Sequence, residues 1–419
     1  MKVALIAYDF YPETGGIANV LTTLYKKIHA KSQNLYVFNP YYQDTNIFNF
    51  LDIKEYNLKD LIIILKEKKL LKYLLLSLYK IFQDNKINFF NRLTIATYLF
   101  LKPNILIETL RSIKQIYPVL KKLDIDIILG GSSSSRALTL TYLLSILFDK
   151  IVASIAYGDD FLIRKPFSVK PIFINRVKKV LIISNYSNRL MRKIYSLKKD
   201  KVVTVNIGLD LNEYNVSLSK EELRRSFNIS NDQFVLLSVG RHVSRKKFDL
   251  VIKAVKRIKD LNPIIDIKYF LIGDGPLTSN LKKLSEDLNL NNQVEFLGRV
   301  DKVKRNQFYK LSDVFLMPSI TEENSLEGFG IVFLEANYHY VPVIGTFSGG
   351  IVEAIVNGKT GLLVKPNNID DLIEKIMFLY ENKEARQKMG EEGYKRVIKE
   401  YNWDKIVEDY INNLKQILE

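Results

Sequence analysis

The feature that most constrains the fold is an alternation of short apolar runs with longer helical stretches along the whole chain. The runs are rich in Ile, Val and Leu and form two series, VALIAY, LYVFNP, DIDIIL, IVASIAY and VLIIS, then FVLLSVG, KYFLIG, VEFLG, VFLMPS, VPVIG and GLLV. Continuous apolar strands separated by helices are typical of parallel sheets covered on both faces. The two series predict an α/β chain with two doubly wound, Rossmann-like domains.

The domain boundaries are expected where one series ends and the next begins. A chain of 419 residues with 47% hydrophobic residues can bury two cores. We predict an N-terminal domain over residues 1–205, a second domain over residues 206–383, and terminal helices over residues 384–419. Because no low-complexity linker separates the series, the two domains are expected to face each other across a cleft.

The charge is concentrated in the first half of the chain. The net charge is +16, and residues 1–200 hold 31 Lys and Arg against 15 Asp and Glu, whereas the remainder holds 31 of each. This asymmetry predicts that the N-terminal half meets something acidic, such as anionic lipid, a phosphorylated acceptor or nucleic acid. A biased genome is the alternative, although such bias should not spare the second half. No nucleic-acid-binding motif accompanies the charge, so no nucleic acid partner is expected.

Several classes of site and location are disfavoured by what the sequence lacks. There is no cysteine, so a thiolate zinc site and a cysteine nucleophile are excluded. The three histidines are scattered along the chain, and we predict no metal site. The first residues are typical of a β-strand rather than a signal peptide, and no apolar run approaches the roughly 18 residues of a membrane span. We therefore expect a cytoplasmic protein.

One segment, Leu61 to Phe82, leaves peripheral attachment to the inner face of the membrane open. It carries five lysines among leucines and aromatic residues. Such a segment could lie on an anionic membrane surface, with lysines over the headgroups. An amphipathic helix packed on the first sheet is the favoured interpretation, because basic amphipathic helices are common on domains that never meet a membrane.

Candidate ligand positions follow the strands, because ligands of open α/β sheets bind beyond the carboxyl ends of the strands. Gly15 and Gly16 separate the first strand from a helix, which alone is weak evidence. After FVLLSVG comes Arg241, followed within six positions by Arg245, Lys246 and Lys247, and cations at a strand end suit a diphosphate.

Two glutamates eight positions apart, Glu327 and Glu335, bracket a glycine loop in the stretch SLEGFGIVFLEA. Amides at the start of the helix that follows would face an anion.

These motifs occur in an order that resembles one family. From Phe234 to about Leu363 the chain is similar to the nucleotide-sugar-binding domain of the family-four retaining glycosyltransferases, which have the GT-B fold. The resemblance rests on VGRHVSRK, IGDGPL, FLGRV, SDVFLMPS, the two spaced glutamates, a Gly-Gly pair and NGKTGLLV. The N-terminal half resembles the acceptor domain more loosely, through PETGGIANV, SNYSNRL and NIGLD. The helix with Trp403 resembles the segment that crosses back to the first domain.

The resemblance implies a role for each matching position in the second domain. Arg241 and Lys246 would neutralise the donor diphosphate, and Glu327 would hold the sugar and distal phosphate together with backbone amides. The implied donor-binding set also includes a ribose ligand, two residues bordering the base and a glycine that lets the first loop approach the phosphate: Glu335, Arg299, Val300, Gly16, and the amides of Phe329, Gly330 and Ile331. Neither a metal nor another cofactor is implied.

The first domain departs from the family at one position. Where many relatives have a histidine before glycine that contacts the sugar, this sequence has Tyr157, followed by Gly158 and Asp159. Together with Gly15, Tyr157 and Asp159 are the candidates on the sugar and acceptor side. The implied partners are a nucleotide-sugar donor and a carbohydrate or lipid-linked acceptor. A non-catalytic binding subunit, an epimerase or a phosphorylase of the same fold are the alternatives.

Overall fold

The computed structural model describes residues 1–7, 16–31, 34–38, 68–162 and 168–419. The chain divides into two compact units. The first unit comprises Met1–Asn206 with Ile406–Glu419, and the second comprises Ile207–Lys405. Gly15 and residues 61–67 lie outside the described residues.

The first unit contains a six-stranded, wholly parallel sheet in the order β2-β1-β3-β4-β5-β6. Its strands are β1 Lys2–Ile6, β2 Asn34–Phe38, β3 Ile127–Gly130, β4 Ile151–Ala156, β5 Lys179–Ile182 and β6 Val202–Thr204. The described helices, numbered along the chain, are α1 Gly16–Ala30, α2 Lys68–Gln83, α3 Phe89–Leu101, α4 Pro103–Leu123, α5 Ser135–Phe148, α6 Lys170–Arg176 and α7 Asn185–Tyr195.

The second unit contains a second six-stranded parallel sheet, in the order β12-β11-β10-β7-β8-β9. The strands are β7 Phe234–Val239, β8 Ile267–Ile272, β9 Val294–Gly298, β10 Val314–Leu316, β11 Val343–Thr346 and β12 Gly361–Val364. The helices are α8 Lys220–Ser226, α9 Phe248–Leu261, α10 Thr278–Asp287, α11 Lys302–Leu311, α12 Ile331–Tyr338, α13 Ile351–Ala354, α14 Ile369–Glu381 and α15 Lys383–Glu400; α16 Trp403–Gln416 belongs mostly to the first unit.

The prediction of two doubly wound α/β domains is confirmed by these sheets. Strands in the middle of each sheet are buried along their length, as β3 and β7 show. This explains why the runs read as continuously apolar rather than alternating.

The division between the units differs from the expected boundaries at the C-terminal end. Helix α15 stays with the second unit, and the first unit resumes at Ile406 rather than at residue 384. Tyr394 of α15 stacks on Tyr340 at 4.2 Å between ring centroids, and Gly390 brings the helix against the Tyr340 carbonyl. A helical period shows which face of α15 is apolar but not which surface covers it.

The amino ends of β7 and β10 are joined by a buried charge cluster. The Asp313 carboxylate accepts from the backbone amide of Val235 at 2.8 Å, from Arg224 at 2.6 Å and from Lys220 at 2.7 Å. Burial opposes ionisation, but Lys220 and Arg224 outweigh it and lower the pKa of Asp313. The two central strands are thereby fixed side by side, which sets the positions of the loops that leave their other ends.

Helix α2 covers part of the Leu61 to Phe82 segment and packs on α4 and α5. Leu70, Leu74 and Ile81 are buried, while other apolar side chains on the same helix remain exposed, including Leu75 and Tyr79. The helix thus has the packed face that the sequence favoured, but that face lies mainly on other helices rather than on the sheet as predicted. It also leaves apolar surface uncovered.

Candidate functional site

The strand order of the second sheet places the candidate site. From β7 the chain adds β8 and β9 on one side and then returns to add β10, β11 and β12 on the other. The loops after the adjacent strands β7 and β10 therefore diverge, and such a switch point is where open α/β sheets bind ligands. The basic run from Arg241 follows β7, and the glutamate and glycine stretch follows β10. The tertiary fold thus brings together motifs about 80 residues apart.

Glu327 is the centre of this site, and two cations share one of its oxygens. Its Oε2 accepts from Arg245 Nη1 at 2.6 Å and from Lys246 Nζ at 2.5 Å. The Lys246 ammonium also contacts Met317 Sδ at 3.0 Å. The sequence predicts Lys246 and Glu327 as site residues. Arg245 belongs to the same basic run but is not among the predicted site residues, although its position next to Lys246 could have indicated it.

The Glu327 carboxylate is held in its ionised form. Burial by itself would raise its pKa, but Lys246 and Arg245 outweigh that effect and lower the pKa of Glu327 to about 2. An ionised carboxylate beside two cations leaves one net positive charge, which favours a further anion nearby.

Arg241 differs from its two neighbours because its side chain is exposed. Within the described ranges it forms no ion pair with a carboxylate, whereas Arg245 and Lys246 both do. Its charge is thus available to a ligand at the end of β7. The predicted role of Arg241 in binding a diphosphate stays a prediction.

The loop after β10 ends in a helix whose first amides are open. Gly330, with φ of +91°, precedes α12, and a Cβ at that position would meet the Phe333 ring at 2.7 Å. In the described part of the chain, the amides of Phe329, Gly330 and Ile331 donate to no protein acceptor. Amides at the start of a helix suit an anion, and Lys246 reaches the same loop through Glu327. Phe329 itself is buried against Tyr401, so its backbone rather than its ring is available.

The Gly-Gly pair after β11 contacts the loop after β10 directly. The Gly350 amide donates to the Glu327 carbonyl at 2.8 Å, and a Cβ on Gly350 would lie 2.0 Å from the Gly328 carbonyl oxygen. Gly275 approaches the loop after β7 in the same way, against the His242 carbonyl. These glycines are therefore explained by contact between loops.

Glu335 lies in surroundings that the sequence did not indicate. Its side chain is buried, with the residue 3% exposed, and its oxygens accept from the hydroxyls of Tyr214 at 2.9 Å and Tyr309 at 2.7 Å. Arg305 lies 3.6 Å away, and the proximity of Glu335 raises the pKa of Arg305. In this structure Glu335 thus anchors the turn Leu211–Tyr214 to α11 and α12. Its implied contact with a ribose stays a prediction.

The residues implied to border the base lie at the end of the edge strand β9. The Arg299 side chain is largely exposed and donates to Asp274 at 2.9 Å, while Val300 is half-buried. His242, a histidine on the loop after β7, is fully buried and bonds Thr278 at 2.8 Å. It is a core residue rather than a ligand.

The candidates in the first unit form a separate group. Gly16 begins α1, and Gly15 is outside the described residues. Tyr157 is 7% exposed and Asp159 is half-buried. The sequence analysis missed Asp160, whose carboxylate accepts from the amides of Tyr157, Gly158 and Ser133 at 2.8 to 2.9 Å. Asp160 thus joins the loops after β3 and β4.

No helix among the described residues is long and apolar enough to span a membrane. No group of three or more His, Cys, Asp or Glu residues in the described segments could hold a metal ion.

Comparison with known proteins assigns the family. Residues 219–396 match the model of the glycosyl transferases group 1. An uncharacterised glycosyltransferase of Methanocaldococcus jannaschii is 32% identical over 258 residues, which cover 59% of this chain and 68% of that protein. The chain belongs to the group 1 glycosyltransferase family. The predicted family is thereby confirmed.

Another relative of this group 1 family member is a GDP-mannose-dependent monoacylated phosphatidylinositol monomannoside mannosyltransferase of Corynebacterium glutamicum. It is 32% identical over 213 residues, covering 50% of this chain and 54% of the relative. The chain spans between about half and two thirds of the length of the curated relatives it matches.

A solved structure extends the similarity to the whole fold. The HepE protein of Anabaena, crystallised in complex with UDP, superposes with a TM-score of 0.73 at 17% identity and covers 99% of this chain and 100% of its own. At that identity the likeness concerns the fold alone. It confirms the GT-B architecture of two Rossmann-like domains that the group 1 resemblance implied.

Proposed function

We propose that this chain is a retaining glycosyltransferase that transfers a hexose-type sugar from a nucleotide-sugar donor to a carbohydrate or lipid-linked acceptor. The observation that carries the proposal is the convergence of Arg245, Lys246 and Glu327 with the open amides of residues 329–331 at the switch point of the second sheet. Fixed cations and amides are what a departing diphosphate requires, because charge develops on its oxygen as the sugar bond breaks.

The relatives support this class of donor. One is named for its use of GDP-mannose, and HepE was crystallised with UDP. Both ligands are nucleoside diphosphates or carry one. A shared diphosphate is consistent with a site built from cations at the end of β7 and amides at the start of α12.

The chemistry follows from the leaving group. Lys246 and the exposed Arg241 would stabilise the nucleoside diphosphate, and the amides of Phe329 to Ile331 would hold the distal phosphate. Glu327 would orient the sugar while fixing its two cations. The acceptor hydroxyl would attack from the face that the diphosphate leaves, and the departing phosphate oxygen would take its proton. This gives retention at the anomeric carbon without a protein nucleophile.

No divalent ion is required in this proposal, since side-chain cations and the dipole of α12 supply the positive charge. We further propose that the protein acts in the cytoplasm and meets the inner face of the membrane through its basic N-terminal half. The net charge of +16 lies in residues 1–200, α2 and α3 expose apolar side chains, and α2 also carries lysines.

The decisive experiment screens the full chain for thermal stabilisation by nucleoside diphosphates and for release of sugar from a panel of nucleotide sugars, with and without EDTA. A ligand at 100 times its Kd should add about 2.7 kcal/mol of stability. Lys246→Met and Arg241→Ala should each lower turnover roughly 30- to 1000-fold, equivalent to about 2 to 4 kcal/mol of transition-state stabilisation. The anomeric configuration of the product, read by NMR, tests retention.

The matched control is Lys247→Met, which removes a cation from the next position of the same loop. It should leave turnover within about threefold, because Lys247 makes no contact with Glu327. Wild-type rates in both Lys246→Met and Arg241→Ala would overturn the assignment. Diphosphate binding without any turnover across the panel would favour the non-catalytic subunit instead.

A further inference from the structure

A sizeable cavity lies within the first unit, lined by residues other than those of the candidate donor site. Its volume is about 730 Å³. It is bounded by α3, the start of α4, the start of α5 and the residues on either side of the 163–167 gap. Since a water molecule takes about 30 Å³ in the liquid, the space is on the order of twenty waters. Nothing in the donor chemistry uses it.

One wall of the cavity is apolar. Leu93, Thr97 and Leu101 recur at intervals of four along α3 and so share one face of that helix. Ile105 of α4 and Leu162 complete this wall. A free sugar would leave most of its hydroxyls without partners against such a surface, at a cost of about 1 to 3 kcal/mol each. A hydrocarbon chain has no such cost.

Polar and positively charged residues also line the cavity. Ser134 caps α5, and Arg136 lies in the first turn of that helix with 48% of its side chain exposed. Lys102 and Lys170 also line the cavity, and no carboxylate is present among its described lining residues. Lys170 is committed to the Asp160 and Leu162 carbonyls, so Arg136 and Lys102 are the cations that face a ligand. Arg136 keeps a longer contact with Glu108 at 3.4 Å.

The surface beside the cavity is also apolar. Phe90 is 77% exposed one turn before Leu93, and Leu101 is 70% exposed at the end of the same helix. Phe89 and Phe100 are exposed on the adjoining strip of α3. Clusters of exposed large apolar side chains on a folded chain mark binding surfaces. This cluster shares helix α3 with the cavity lining, and Leu101 belongs to both.

We propose that this cavity binds the hydrocarbon chain of a lipid-linked acceptor whose anionic phosphate head lies between Arg136 and Lys102. The chain would pack on Leu93, Thr97 and Leu101 and continue along the exposed aromatic strip. Burying one methylene group contributes about 0.8 kcal/mol, so every two buried methylenes should strengthen binding about tenfold. The inference deepens the proposed function and rests on it for the word acceptor, but the binding can be measured without turnover.

The test measures binding of dodecyl phosphate to the full chain by calorimetry, below its micelle concentration. Dodecyl maltoside, with a neutral head, and inorganic phosphate, without a chain, are the comparison probes. Dodecyl phosphate should bind at least tenfold more tightly than either. Tight binding of inorganic phosphate alone would indicate a free-phosphate site and overturn the proposal, as would equal binding of dodecyl maltoside.

Variants locate the binding in the cavity. Thr97→Trp places an indole in the cavity and should weaken dodecyl phosphate binding at least tenfold. Tyr79→Trp, at an exposed aromatic position of α2 that is outside the cavity lining and the strip of α3, should change it less than twofold. Lys102→Ala should weaken it two- to fivefold, whereas Lys122→Ala, roughly 30 Å away along α4, should not. Equal affinity in Thr97→Trp and Tyr79→Trp overturns the proposal.

Donor binding on the same samples separates this inference from the proposed function. Thr97→Trp should retain stabilisation by nucleoside diphosphates, which also shows that it folds, and should raise the KM for a lipid-linked acceptor while donor hydrolysis continues. If no nucleoside diphosphate binds but dodecyl phosphate keeps the expected variant profile, the donor assignment fails and the cavity assignment stands. Diphosphate binding without dodecyl phosphate binding overturns the cavity alone.

Discussion

At the scale of single residues, Glu327 shows how one carboxylate can set the charge of a site. It holds Lys246 and Arg245 at 2.5 and 2.6 Å and keeps both of them directed at the end of β7. Because Lys246 and Arg245 lower its pKa to about 2, the carboxylate is ionised at neutral pH. The ion pairs of Glu327 with Lys246 and Arg245 should therefore contribute to the stability of the fold as well as to any binding of a diphosphate.

Glu327→Gln should destabilise the protein by about 3 kcal/mol at pH 7, since the shift from an ordinary value of 4.5 to about 2 corresponds to that free energy. The folded pKa is depressed, so this stabilisation is fully present above about pH 4.5 and is lost as the pH falls toward 2. Urea unfolding of wild type and variant at pH 7, 5 and 3.5 should give equal differences at the first two values and a smaller one at the third.

The control for this prediction is Glu374→Gln. Glu374 is largely exposed and pairs with the adjacent Lys375, so its loss should cost less than about 0.5 kcal/mol at any of these pH values. A difference for Glu327→Gln that grows as the pH falls would contradict the predicted pKa direction.

At the scale of elements, the site is a stack of loops in close contact. The loop after β11 supports the loop after β10 through Gly350, and the loop after β8 supports the loop after β7 through Gly275. The contacts are between backbones, so side-chain chemistry at these positions matters less than the absence of a Cβ.

Gly350→Ala should therefore separate the loops after β10 and β11. Gly350 has an ordinary φ of −80°, so the substitution brings no backbone strain, but the new Cβ would lie 2.0 Å from the Gly328 oxygen. We expect a loss of about 2 kcal/mol in unfolding free energy and at least tenfold weaker binding of nucleoside diphosphates. Chemical denaturation and calorimetry measure the two effects.

Gly240→Ala is the matched comparison, because its Cβ would make an ordinary contact of 3.5 Å with Phe248. Its unfolding free energy should stay within about 0.5 kcal/mol of wild type. If the two alanine variants were equally stable, the contact between loops would not be the reason for the glycine at position 350.

At the scale of the whole molecule, the two units carry different chemistry. The donor-type site lies in residues 240–247 and 327–331 of the second unit, while the cavity and the exposed aromatic strip lie in the first. The excess of 16 positive charges is also confined to residues 1–200. The two proposals therefore assign a diphosphate to the second unit and an anionic amphiphile to the first.

Hydrogen exchange should resolve these two functions. A nucleoside diphosphate at 100 times its Kd should slow exchange at local openings of residues 240–247 and 327–331 by up to about 100-fold and leave residues 89–101 unchanged. Dodecyl phosphate should show the reverse distribution. Protection of the same peptides by both ligands would contradict the assignment of separate sites.

The sequence by itself determined the fold class and the family. Apolar strand runs indicate burial on both faces of a sheet, and cations or glycines directly after a strand lie at its carboxyl edge whatever the rest of the fold does. Arg241 and Lys246 could therefore be placed after β7, and Glu327 and Gly330 after β10, from local position along the chain, while their roles toward a donor stay predictions.

The tertiary structure alone decided which side chains meet. Glu335 accepts a hydrogen bond from Tyr214, a residue 121 positions away. Glu327 accepts from Arg245 as well as from Lys246. The attachment of α15 to the second unit and the cavity beside α3 depend on how helices pack across long separations. The apolar periodicity of one segment does not indicate such contacts. They depend on the shape and charge of surfaces that segments far apart in the sequence form together.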